Sequence, residues 1–163
     1  MQAKEIMSPN PQCCTPDDTL RDAAQMMSDA DCGCLPVVEN QAGKRVIGVL
    51  TDRDIAIRGV AKGKTPDSKV NDVMSPAVSV CFAEDDVEVV ERIMVEKQVR
   101  RVPVVDGSGR AVGIVAQADL ARDNRAASDR EVGRIVEKIS APITTGPRGL
   151  FKTGDGQPEQ QRL

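Results

Sequence analysis

Leu35-Pro36-Val37-Val38-Glu39 and Val102-Pro103-Val104-Val105-Asp106 are one five-residue phrase written twice, 67 positions apart. The match extends outward from that pair. Upstream, Glu5-Ile6-Met7-Ser8-Pro9 returns as Asp72-Val73-Met74-Ser75-Pro76, Asp18-Thr19-Leu20 as Asp85-Asp86-Val87, and Met27 as Met94. Downstream, the offset falls to 65, and Gly48-Val49-Leu50-Thr51-Asp52-Arg53-Asp54-Ile55 aligns with Gly113-Ile114-Val115-Ala116-Gln117-Ala118-Asp119-Leu120. Matched blocks in a fixed order, with one length change placed in a turn, mark an internal repeat.

Each copy carries the same local signals. Short strands are expected near Gln12–Thr15 and Val78–Phe82. Leu20, Ala23, Ala24 and Met27 then fall at the spacing of one buried helical stripe, as do Val87, Val90 and Met94. Acidic residues crowd both helix starts, where the helix dipole favours them. Apolar runs at Cys34–Val38 and Val46–Leu50, and at Val102–Val105 and Val112–Val115, read as paired strands. The turns between them are Asn40-Gln41-Ala42-Gly43 and Gly107-Ser108-Gly109. A second helix begins after Thr51 and after Ala116. The expected fold class is α/β (α+β): two tandem β-α-β-β-α repeats with pseudo-twofold symmetry, at 3–62 and 69–125, joined by a polar linker at Ala61–Ser68. A C-terminal helix is expected at 128–140. Ser128 and Glu131 would form its capping box, and Val132, Ile135, Val136 and Ile139 its apolar face. The polar stretch 144–163 is expected to be disordered.

Composition narrows function. The 163 residues include no His, Trp or Tyr and two Phe, and the net charge is −3. Without His there is no Ser-His-Asp triad or His-ligated metal site. Without aromatics or a basic field, nucleic acid is not an expected partner. No long apolar run suggests a membrane span, and no apolar core suggests a signal peptide, so the expected location is the cytoplasm. No nucleophile pairs with a base, so no enzyme activity is expected, and there is no phosphate-binding loop. The five cysteines are Cys13, Cys14, Cys32, Cys34 and Cys81. Buried reduced thiols are the simplest reading. A thiol or metal switch through Cys32 and Cys34 is the alternative, although the spacing is not C-x-x-C.

The doubled unit, with its Met-Ser-Pro lead-in, Leu/Val-Pro-Val-Val strand and Gly-x-apolar-Thr-x-x-Asp exit, resembles tandem cystathionine-β-synthase (CBS) domains, the pair called a Bateman module. The resemblance runs from Ala3 to about Asn124. Thr51–Gly59 and Gln98–Pro103 look like small stand-alone bacterial members. The resemblance implies a regulatory module, with no required cofactor, that binds AMP, ADP, ATP or S-adenosylmethionine between the repeats. It would signal adenylate state to an unidentified protein target and assemble as a homodimer, a disc of four repeats. A ligand-independent structural or stress-response dimer is the rival reading.

The resemblance also assigns candidate residues. Asp54 would accept from the ribose hydroxyls, since a carboxylate can bridge two vicinal hydroxyls, and the Thr51 hydroxyl would contact ribose or phosphate. The same pair also reads as a helix-capping box, and both roles can coexist. The second copy has Asp119 but Ala116 in place of Thr, so its site is expected to be weaker. Leu35 and Pro36, and Val102 and Pro103, would line adenine pockets or simply pack the core. Arg53 and Arg58, on the helix after Thr51, and Arg100 and Arg101 are candidate phosphate donors, with a planar fork suited to that task. The positions matching Arg100 and Arg101 in the first copy are Gly33 and Cys34, so the basic charge is asymmetric.

Overall fold

The computed structural model describes residues 1–76, 78–122 and 129–141. The expected tail at 144–163, the Ser128–Glu131 capping box and the stretch 123–125 lie outside what is described. In the first repeat, α1 (Ala3–Ile6) leads into β1 (Ser8–Pro9), followed by α2 (Leu20–Asp29), β2 (Cys34–Val38) and β3 (Val46–Thr51). A short α3 (Asp52–Asp54) runs on as a π-helical turn, Ile55–Gly59, and a 3-10 turn, Val60–Lys62. The second repeat opens with a 3-10 turn, Val70–Asp72, and continues with β4 (Cys81–Phe82), α4 (Val87–Lys97), β5 (Arg101–Val105), β6 (Ala111–Ala116) and α5 (Gln117–Arg122). The last helix is α6 (Asp129–Ser140).

Local chemistry explains these elements. Thr19 caps α2 reciprocally: its Oγ1 accepts from the Asp22 N–H at 3.1 Å, and its own N–H donates to Asp22 Oδ2 at 3.3 Å. Leu20, Ala23 and Met27 are buried as the stripe requires, whereas Ala24 is exposed. The strand expected at Gln12–Thr15 contracts to Cys14, which bridges Val37 in parallel. Pro11 and Pro16 bracket it, and proline donates nothing to a ladder. Its counterpart at Val78–Phe82 contracts to Cys81–Phe82, parallel to Val104–Val105. In the antiparallel pairs, Leu35 faces Leu50 and Val102 faces Val115. On α6, Ile135 and Ile139 are buried, but Val136 is 37% exposed, so the apolar face is narrower than its sequence predicts.

The repeats exchange their lead-ins. Ser8 and Pro9 pair with Ile114 and Gly113 of β6, while Ser75 pairs with Val49 of β3 through N–H···O bonds of 2.9 and 3.0 Å. Each lead-in also docks on the turn that precedes the other repeat's first long helix. The Ala3 N–H donates to the Asp85 carbonyl at 2.8 Å, and the Val70 N–H donates to the Asp18 carbonyl at 2.9 Å. Gly48 and Gly113 make this possible. A Cβ on Gly48 would stand 2.7 Å from the Ser75 carbonyl oxygen, and one on Gly113 would strike the Met7 side chain. Two cores result. Ala3 enters the core built from Val87, Val90, Met94, Val102 and Val115, and Val70 and Val73 enter the core built from Leu20, Leu35 and Leu50. The pseudo-twofold axis passes through the antiparallel bridge between the equivalent residues Arg45 and Arg110.

Candidate functional site

Thr51 ends β3 in extended backbone and caps α3. Its N–H and Oγ1–H donate to Asp54 Oδ2 at 3.0 and 2.8 Å, and its Oγ1 accepts from the Asp54 N–H at 3.1 Å. Asp54 is 6% exposed and is the one buried charged side chain among the described residues. Its second oxygen, Oδ1, faces Arg58 Nε at 3.7 Å. A carboxylate has about four acceptor positions. Thr51 fills two of them on Oδ2, and the loose ion pair leaves acceptor capacity on Oδ1.

Cys34 lies across the ladder from Thr51. Burial pushes its thiol up to about 12; Arg101 of the other repeat pulls the opposite way, while Cys32, Asp54 and Asp52 push with burial. Cys34 and Arg101 are equivalent positions, so the axis brings the second repeat's cation toward the first repeat's acidic turn. Gly33 accommodates Asp52: the Asp52 N–H donates to the Gly33 carbonyl at 3.1 Å, and a Cβ on Gly33 would sit 2.6 Å from Asp52 Oδ2. In the matching place, the Gln117 N–H donates to the Arg100 carbonyl at 2.9 Å.

The second copy keeps half of the cap. The Ala116 N–H donates to Asp119 Oδ2 at 2.7 Å, with no hydroxyl to complete it, and Asp119 is half-buried. Leu35 and Val102 are fully buried in the two cores, with Pro36 and Pro103 buried beside them. The Pro36 carbonyl accepts from the Cys14 N–H at 3.1 Å. Arg53, Arg100 and Arg101 are exposed. Arg58, a phosphate candidate by sequence, turns instead to Asp54 and to the second repeat's lead-in. Ser75 belongs to the repeated Met-Ser-Pro lead-in, but its contacts were not legible in the sequence, because pairing across repeats leaves no local periodicity. Among the described residues, no three Cys, Asp or Glu side chains gather as a metal ion would require. All five thiols are free, and burial also pushes those of Cys14 and Cys81 up to about 12. No described helix is long and apolar enough to cross a membrane.

Two grooves of ligand size open elsewhere. One, of about 430 Å³, runs beside Leu20, Ala24, Ile55 and Val60; the other, of about 500 Å³, separates α4 from α6. Neither contains Thr51, Asp54 or Asp119.

Comparison with known proteins agrees with this architecture. The family profile described as CBS domain matches residues 3–59 and again 70–124. The chain is 35% identical over 137 residues to the CBS domain-containing protein YhcV of Bacillus subtilis, covering 84% of this chain and 94% of that protein. It is 34% identical over 142 residues to Hypoxic response protein 1 of Mycobacterium tuberculosis, covering 86% and 95%. The crystal structure of Hypoxic Response Protein I with two coordinated zinc ions has a TM-score of 0.68 at 38% identity, over 75% of this chain and 98% of that one. The CBS domain pair of protein MJ0100, in complex with methylthioadenosine and S-adenosyl-L-methionine, has a TM-score of 0.67 at 28% identity, over 75% and 94%. Two matched repeats, joined by exchanged lead-ins, together with relatives that this chain matches over nearly their whole length, establish that the chain belongs to the CBS-domain family as a tandem pair.

Proposed function

We propose that this CBS pair is a non-catalytic regulatory module that takes an adenosyl ligand between its repeats, at Thr51–Asp54, and passes the change in pose to a protein target. The observation that carries the proposal is the state of Asp54. A buried carboxylate with one oxygen held by Thr51 and acceptor capacity on the other is oriented for a ribose diol. Arg101, contributed by the other repeat, supplies positive charge near the same turn and favours a phosphate-bearing ligand. The Asp119 site lacks a hydroxyl and binds more weakly. MJ0100, a pair of the same fold, holds adenosyl ligands. The homodimer belongs to this reading.

One observation favours the rival, ligand-independent structural role: the Thr51–Asp54 cap is already complete and its acid is almost covered. Zinc, reported for the related hypoxic response structure, does not suit the donors here: the sequence has no His, and among the described residues no three Cys, Asp or Glu side chains converge. Calorimetric titration of AMP, ATP and S-adenosylmethionine against wild type and Asp54→Ala decides between the readings. Saturable binding that is lost in Asp54→Ala supports the module. Absence of binding by all three supports the structural dimer.

A further inference from the structure

Arg58 lies four residues after Asp54, on the π-helical turn, with its side chain 36% exposed. Beyond its contact with Asp54 Oδ1, its Nη1 donates to the Val73 and Met74 carbonyls, both at 3.3 Å, and to Ser75 Oγ at 3.1 Å. Those three acceptors belong to the lead-in of the second repeat, where it ladders with Val49 of the first. One guanidinium therefore joins the buried acid of one repeat to the backbone of the other. The guanidinium places Nε toward the acid and Nη1 toward the lead-in in one rigid plane, a separation of donors that the single nitrogen of a lysine lacks.

We propose that Arg58 is a positioning residue that couples occupancy of Asp54 to the seating of the second repeat's lead-in. This inference rests on the reading of Asp54 as the ribose acceptor. Oδ2 is saturated by Thr51, so a diol attaches at Oδ1, the oxygen that Arg58 faces. Hydroxyl donors there compete with the ion pair and fill the space between the two groups. Arg58 loses its anchor in the first repeat, and the Val73–Ser75 segment is no longer tied to the α3 turn. Binding at one acid thus loosens the seam between repeats. In the second copy the position matching Arg58 is Asp123, so the sequence provides no equivalent guanidinium for the half-exposed Asp119.

Hydrogen exchange at the Val49 and Ser75 amides, followed by NMR on the full chain and combined with calorimetric AMP titration, tests the coupling. In wild type, AMP is expected to accelerate both amides. In Arg58→Ala they should exchange about tenfold faster without ligand, and AMP should add nothing further. That variant should also bind AMP about fivefold tighter, because no ion pair has to be displaced. Arg58→Lys, which keeps charge near Asp54 but not the fork, should fall between. The proposal is overturned if ligand-free Arg58→Ala exchanges like wild type, if AMP slows these amides, or if the variant binds AMP more weakly, which would make Arg58 a ligand contact. If wild type binds none of AMP, ATP and S-adenosylmethionine, the coupling falls together with the reading of Asp54. The ligand-free comparison then still reports whether Arg58 ties the repeats.

Discussion

Thr51 and Ala116 end equivalent strands, yet the turns after them behave differently. In the first repeat, a hydroxyl and an N–H hold Asp54 Oδ2, the acid is buried, and the helix widens into a π turn. In the second, one N–H holds Asp119, the acid is half-open, and an ordinary α-helix follows. The backbone half of the cap is enough to preserve the turn. The hydroxyl adds a second donor to the acid of the first repeat and Arg58 faces its other oxygen, so the two turns present their carboxylates differently.

The largest expected effect lies where the repeats agree. Cys14 and Cys81 are equivalent, and their thiols point to the Pro36 and Pro103 carbonyls at 4.0 and 3.9 Å. Burial holds both, and Cys34, up to about 12 from 9.0. The unfolded chain ionises these groups first. Their stabilising contribution is therefore complete below pH 9 and is lost as pH rises toward 12, at about 1.4 kcal/mol per pH unit for each thiol that stays protonated. Urea midpoints that stay level from pH 8 to 11 would contradict this.

Next comes the pair of acids. Asp54→Ala should cost about 2 kcal/mol, since it removes the cap and a loose, partly exposed ion pair with Arg58. Asp119→Ala should cost about 1 kcal/mol. Equal losses in chemical denaturation would erase the distinction between the turns. The glycines under the exchanged lead-ins give a smaller contrast. Gly48→Ala meets a backbone carbonyl and should cost about 2 kcal/mol. Gly113→Ala meets a flexible Met7 side chain and should cost less; the reverse order would mean the two seams do not pack as described. Smallest is the hydroxyl itself. Thr51→Ala should lose about 1 kcal/mol, and Ala116→Thr should gain up to about that much while strengthening nucleotide binding at the second acid. A destabilised Ala116→Thr with unchanged binding would show that the second turn cannot be completed this way.

The elements that buried apolar side chains at a regular period were legible in the sequence. β2 falls at Cys34–Val38 as its apolar run predicts, and α4 buries Val87, Val90 and Met94. Features without a period were not. β1 has two residues, and its partner lies in the other repeat, so nothing local announces it. The π turn at Ile55–Gly59 departs from a pattern that reads as plain helix; Gly59 there lets the chain approach Leu20, whose Cδ1 would stand 3.2 Å from an added Cβ. At the site, Thr51 and Asp54 stood out because the repeat placed them at an exit and the resemblance gave them a role. The target of Arg58 was hidden, because its acceptors are backbone carbonyls, which residue type does not reveal.

The exchanged lead-ins leave neither half autonomous. Residues 1–63 without Val70 and Val73 would expose an unfinished core, and the remainder without Ala3 would do the same. The chain should therefore unfold in one cooperative transition. A protease nick between Gly63 and Lys64 should yield two fragments that stay together as a non-covalent pair and re-form the fold when mixed. The peptide bond in the linker is dispensable in a way that the clasp between the halves is not.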